Sequence, residues 1–195
     1  MNTQDALRLF RLNPPWVKQL WQYLRSEADI LTAIPNLEGR KFSVWKAEHI
    51  IIEPALDLLK DLSLNISTYR NFKLEPKTRH ATMLHRDHPS NPCFAVNVCI
   101  RGSCKVHFYD NLEPMFMQGS SEKEGTNPIY FTAGDPRETY VVNEGELFVM
   151  DTSAIHQADT SDCTTPVLLA SFIPKPQYSY EDALESLWQR GIPLS

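Results

Sequence analysis

Apolar residues Val17, Leu20, Trp21 and Leu24 recur at helical spacing, which predicts a helix beginning just after Pro14-Pro15. A second apolar set, Ile50, Ile51, Leu56, Leu58 and Leu59, predicts a helix over 47–62. Pro54 falls inside that span and sets its start in question, because proline fits only the first turn of a helix. Residues 1–65 therefore read as mainly helical. Beyond Tyr69 the period changes. Short runs of Val, Ile, Phe, Tyr and Thr, punctuated by Gly, Pro, Asn and Asp, predict strands near 79–85, 94–101, 104–110, 129–132, 138–142, 146–150, 154–158 and 166–172. Gly102-Ser103 reads as a hairpin turn, the polar stretch 118–128 as a loop that could serve as a lid, and 180–190 as a closing helix.

This order of elements suggests a single domain over 1–195: helical support at 1–65, a β core at 69–174 and a helical tail at 175–195. The expected class is mainly β with flanking helices, a sandwich or barrel against which the helices pack. Composition fits a globular protein, with 42% hydrophobic and 22% charged residues in a chain of 195. A formal net charge of −5 argues against nucleic acid as the main partner, since phosphates call for clustered Lys and Arg. Cys93, Cys99, Cys104 and Cys163 form no CxxC pair and read as reduced thiols. The amino terminus lacks the apolar core of a signal peptide and no run is long enough to span a membrane, so a cytoplasmic location is expected. P-loop, GxGxxG, nucleophile-elbow and zinc-type Cys/His spacings are not found.

The candidate chemistry lies in "ATMLHRDHPSNPCFAVNV", residues 81–98. His85 and Asp87 are two positions apart, so in extended backbone both side chains take one face. His156, which directly follows the apolar run Leu147-Phe148-Val149-Met150, is the candidate third ligand. Two imidazoles and a carboxylate on one face of an octahedron leave three positions open, the arrangement suited to non-haem Fe(II). The same string also suits a solvated turn ahead of Pro89, with His88 as a loop residue. Asp151 and Ser153 are candidates to hydrogen-bond His156.

The segments "HRD", "FAVNVCIRGSCKVHFYDN", "GELFVMDTSAIHQA" and "PVLLASF", in that order, resemble the double-stranded β-helix of the Fe(II)- and 2-oxoglutarate-dependent oxygenases, a jelly-roll or cupin-like core. The resemblance covers about half the chain. It implies His85, Asp87 and His156 as iron ligands, 2-oxoglutarate and O2 as cosubstrates, and oxidation of an unactivated C–H bond. In many members an Arg on the strand after the distal His anchors the far carboxylate of 2-oxoglutarate; here Pro166 stands in that place. The Jumonji and factor-inhibiting branch uses a Lys on the strand after the HxD, which points to Lys105, with Arg101 as the other cation. Lys105, His107 and Tyr109 share a strand face, and Asn97 is a further candidate for cosubstrate contact. Arg137 and Tyr140 are candidates for substrate contact. A small molecule or amino acid is the expected substrate, with a peptide as the alternative. Two rival readings stand beside this one: a cupin-like Fe(II) dioxygenase without 2-oxoglutarate, and a metal-free β-barrel binding module.

Overall fold

The computed structural model describes residues 7–33, 42–46, 53–62, 64, 66–79, 81–87, 93–115, 129–132, 134–174 and 179–190. Along the chain these form β1 (Leu9–Leu12), α1 (Val17–Ala33), β2 (Phe42–Lys46), α2 (Glu53–Leu59), β3 (Ile66–Leu74), β4 (His85–Arg86), β5 (Phe94–Arg101), β6 (Ser103–Tyr109), β7 (Ile129–Tyr130), β8 (Glu138–Asn143), β9 (Leu147–Asp151), β10 (Ile155–Asp159), β11 (Val167–Pro174) and α3 (Tyr180–Gln189). A 3-10 turn at Lys60–Leu62 ends α2.

The strands make a six-stranded sheet, β1-β9-β5-β11-β3-β2, and a five-stranded sheet, β7-β4-β10-β6-β8. All pairings are antiparallel. The chain crosses between the sheets repeatedly, so that β3-β11-β5-β9 of one sheet faces β4-β10-β6-β8 of the other. This is the strand order of a double-stranded β-helix, as the sequence suggested.

Side-chain burial explains why the two sheets read differently in the sequence. β5, FAVNVCIR, is buried on both faces. Phe94, Val96, Val98 and Ile100 pack under the helices with Leu20, Leu24 and Ala28 of α1, Leu59 of α2 and Leu187 of α3. Cys99 points the other way, into the inter-sheet core with Phe148, Leu74, Val167, Val106 and Phe108. β6, in the outer sheet, alternates: Cys104, Val106 and Phe108 face inward while Ser103, Lys105 and His107 do not. A strand buried on both faces loses its polar alternation, and a strand with one wet face keeps it.

The described part of 1–65 is mainly helical, in α1, α2 and the 3-10 turn, but it also holds two strands, since β1 pairs with β9 and β2 with β3. At four and five residues these strands are too short to show a period of their own. The strand expected at 79–85 contracts to His85–Arg86. Residues 81–82 instead hold to β10 through the Ala81 N–H, which donates to the Ala158 carbonyl (3.0 Å), and the Thr82 hydroxyl, which accepts from the Ala158 N–H (2.8 Å). Finally, β3 lies where no strand was expected. Helix α2 starts beside Pro54, as the proline rule requires. Residues 47–52, the loop 118–128 and His88 lie outside the described residues.

Helix α3 shows its start in the sequence. The Ser179 hydroxyl accepts from the Asp182 N–H (3.1 Å) and the Asp182 carboxylate accepts from the Ser179 N–H (3.2 Å). This capping box holds the turn that buries Tyr180, Ala183 and Leu187. Ser179→Ala should cost about 1 kcal/mol. A urea midpoint equal to wild type would show that the cap contributes nothing.

Candidate metal centre

Register brings the three candidate ligands together. His156, on β10, pairs with His85 of β4 on one side and with Phe108 of β6 on the other. Phe108 belongs to the inter-sheet core, so both imidazoles share its inward face. Asp87 follows two residues after His85, and its backbone N–H donates to the Thr152 carbonyl at 2.9 Å. One donor atom from each of His85, Asp87 and His156 lies within 4.8 Å of the others. His85 Nε2 is 3.7 Å from Asp87 Oδ1, and the two imidazole centroids are 4.4 Å apart. Arg86 turns away, its guanidinium 5.7 Å over the ring of Phe131.

Both imidazoles are oriented the same way. His85 Nδ1–H donates to the Met83 carbonyl (2.6 Å) and His156 Nδ1–H to the Ala154 carbonyl (2.9 Å). A ring whose Nδ1 carries the proton leaves Nε2 with its lone pair free for a metal. Protonation is disfavoured as well. Burial and the nearby His156 hold His85 down to about 4, against the Met83 carbonyl and Asp87. Burial likewise lowers His156, against the Ala154 carbonyl and Asp151. Burial also pushes the Asp87 carboxyl above the usual range, against the pull of His85 and Arg70. Two neutral imidazoles beside one carboxylate match a divalent metal of the iron or manganese type.

Asp151 shapes the approach to His156 rather than touching its ring. Its Oδ1 accepts from the N–H groups of Ser153 (2.9 Å) and Ala154 (3.2 Å) and from the Ser153 hydroxyl (2.5 Å). Its other oxygen pairs with Arg8 at 2.6 Å. The turn at 152–154 is thereby fixed, and with it the carbonyl that orients His156.

The other candidates are placed by strand parity. Asn97 faces the inter-sheet space, 6% exposed, and donates to the Ala95 carbonyl (3.3 Å). Tyr140 faces the same space, its ring 5.8 Å from that of Phe108, and its hydroxyl donates to Glu138 (2.5 Å). Lys105, His107 and Tyr109 do share a face, but it is the outer one. There Lys105 pairs with Asp162, His107 bonds Asp159 (3.2 Å) and Thr139 (2.8 Å), and the Tyr109 hydroxyl donates to Gln157 (3.0 Å). The expectation that Lys105 and Tyr109 line the ligand pocket is therefore corrected: β6 turns its other face to His156. Arg101 ends β5 at the hairpin, beside Gly102 with φ +80°. Phe108, the β6 neighbour of His156, sits at the opposite end of that strand, roughly 16 Å away at 3.3 Å per residue. Arg137 is exposed; its side chain pairs with Asp110, and its N–H donates to the carbonyl of Phe108 (2.8 Å).

The strand β3, ISTYRNFKL, was not expected from the sequence. The β-branched and aromatic residues Ile66, Thr68, Tyr69 and Phe72 were the available signal.

No family model and no curated protein matches the sequence. Solved structures with some likeness include the oxalate decarboxylase of Lactobacillus farciminis in a formate complex (14% identity, TM-score 0.41, covering 76% of this chain and 33% of that one). Others are E. coli ycfD (9%, 0.41, 72% and 34%) and the vicilin of Corylus avellana, hazelnut (9%, 0.40, 75% and 33%). The chain thus spans about a third of the length of these proteins. The fold assignment rests on the strand order itself. No described helix is long and apolar enough to cross a membrane.

Proposed function

We propose that this chain is a non-haem Fe(II) oxygenase that uses 2-oxoglutarate to oxidise a C–H bond of a small molecule or amino acid. The observation that carries this reading is the facing of His85, Asp87 and His156 inside the sandwich, each within 4.8 Å of the others and both histidines presenting Nε2. His85, Asp87 and His156 would hold the metal. Bound there, Fe(II) supplies the reaction with O2 that no side chain can supply, coupled to decarboxylation of 2-oxoglutarate to succinate and CO2. The chain's own part is to fix three ligands and exclude water. Phe108 beside His156 and Tyr140 beside Phe108 make the apolar wall.

A second reading keeps the metal and drops 2-oxoglutarate. It is favoured by β11, VLLASFIP, which carries no cation, and by Lys105, which faces away. One assay separates the two. Purified chain with Fe(II), 2-oxoglutarate and O2 should form succinate slowly even without a second substrate. Oxygen consumption without succinate would reject the first reading in favour of the second, and a chain taking up neither Fe(II) nor Mn(II) would reject both.

A further inference from the structure

The outer face of the smaller sheet carries a hydroxyl, an imidazole and a carboxylate in one hydrogen-bonded line. Thr139 of β8 pairs in register with His107 of β6, and His107 pairs in turn with Gln157 of β10, two positions before Asp159. The Thr139 hydroxyl lies 2.8 Å from His107 Nδ1, and Asp159 Oδ2 lies 3.2 Å from His107 Nε2. Phe108, the next residue of β6, faces the inter-sheet core, so this line lies on the opposite side of the sheet from His85 and His156. Its polar neighbours on that face have partners of their own, Lys105 in Asp162 and Tyr109 in Gln157.

The proton positions in this line follow from its acceptors. Against the cost of burial, the Ser161 N–H and hydroxyl and His107 hold the Asp159 carboxyl below the usual range. Asp159 is therefore ionised at neutral pH and can only accept, which puts a proton on His107 Nε2. In the neutral ring Nδ1 is then an acceptor, and the Thr139 hydroxyl donates to it. The side chains of His107 and Asp159 are only 13% and 10% exposed, whereas Thr139 is open to solvent. A shielded base thus holds the proton of an accessible hydroxyl and is itself oriented by a third group. Those are the features that turn a weak hydroxyl into a nucleophile, and they recur on unrelated folds.

We propose that Thr139 is a nucleophile for acyl transfer, with His107 as its general base, and that it takes the acyl group of a small activated ester. Thr139 Oγ bonds to the ester carbonyl carbon while its proton passes to His107 Nδ1. The bond from that carbon to the leaving oxygen breaks, and the imidazolium returns the proton to the departing alcohol or phenol. Water then adds to the acyl-threonine, His107 taking its proton, and the carboxylic acid leaves with Thr139 restored. These steps are independent of the candidate metal centre. Asp159 is a positioning residue, which keeps the proton on Nε2 and the lone pair on Nδ1. The three groups come from three strands, so no local spacing in the sequence could show them.

The full chain with 4-nitrophenyl acetate tests this, by release of 4-nitrophenolate in EDTA and by mass analysis of the acetylated peptides. Acetyl-Thr139 should form. Thr139→Val should remove that label and slow release about 100-fold, the lower end of what a positioned general base contributes. Thr139→Ser should keep both, and His107→Gln should match Thr139→Val. Because Thr139 is exposed, its variants test the assignment without disturbing the core. Asp159→Asn should slow release and lower the pH midpoint of what remains, since no carboxylate then favours the imidazolium; a loss of packing alone would not move that midpoint. Wild-type release in Thr139→Val, acetylation confined to other residues, or release seen only with added Mn(II) would each overturn the assignment.

Discussion

His156→Ala should abolish binding of Mn(II) or Fe(II) while the chain stays folded. His156 stands between His85 and Phe108 in register, so its removal leaves two ligands on one side of the site and an apolar ring on the other. Changes one shell further out typically cost 10–100-fold in metal affinity, and loss of a ligand exceeds that. The fold should survive because the core surrounding the site is held by Phe148, Val106, Leu74 and the β-ladders rather than by an ion. A metal bound only by the native state stabilises it by about 2.7 kcal/mol at a concentration 100 times its Kd. Wild-type chain should therefore melt higher when Mn(II) is added, and His156→Ala should not. An equal metal-dependent rise in the variant would remove His156 from the site.

The largest loss of stability is expected at Phe172. Its ring is fully buried on the helix side of β11, in the cluster with Leu20, Leu24, Val96 and Tyr180. Phe172→Ala deletes a whole aromatic ring from a close-packed layer and should cost about 3–5 kcal/mol. That is a large share of the roughly 5–15 kcal/mol that holds a domain of ordinary size together. Trp188, on the outer side of α3 and 71% exposed, supplies the contrast. Trp188→Ala should change stability by no more than about 0.5 kcal/mol. Urea titrations of the two variants measure the difference directly. Similar midpoints for both would mean that the helical layer does not pack on the sheet as described.

The triad was legible in the sequence because its geometry is local at one end. The HxD spacing gives His85 and Asp87 a common face wherever the backbone is extended, and the apolar run before His156 marks the strand that brings it back. The strands β5, β6, β8, β9 and β11 were legible for a similar reason, each carrying enough apolar residues between turn signals to declare itself. β1 and β2 were not, since short strands at a sheet edge derive their conformation from the partner they join. β3 is longer, yet polar residues at its centre hid its alternation.

The sequence by itself determined which residues alternate, where chains turn and which side chains have metal chemistry to offer. It could state that Lys105, His107 and Tyr109 share one face of a strand, because parity is a property of the backbone. It could not state which face looks inward. That depends on which side of β6 meets the opposing sheet, and the packing of Val106 and Phe108 against Phe148 and Val167 decides it. Nor could it place Arg70, Ser171 and Asn97 side by side, since they come from three strands far apart along the chain. Register between distant strands is set by the burial of whole faces at once. Only the assembled sandwich fixes which polar groups then share the space between the sheets.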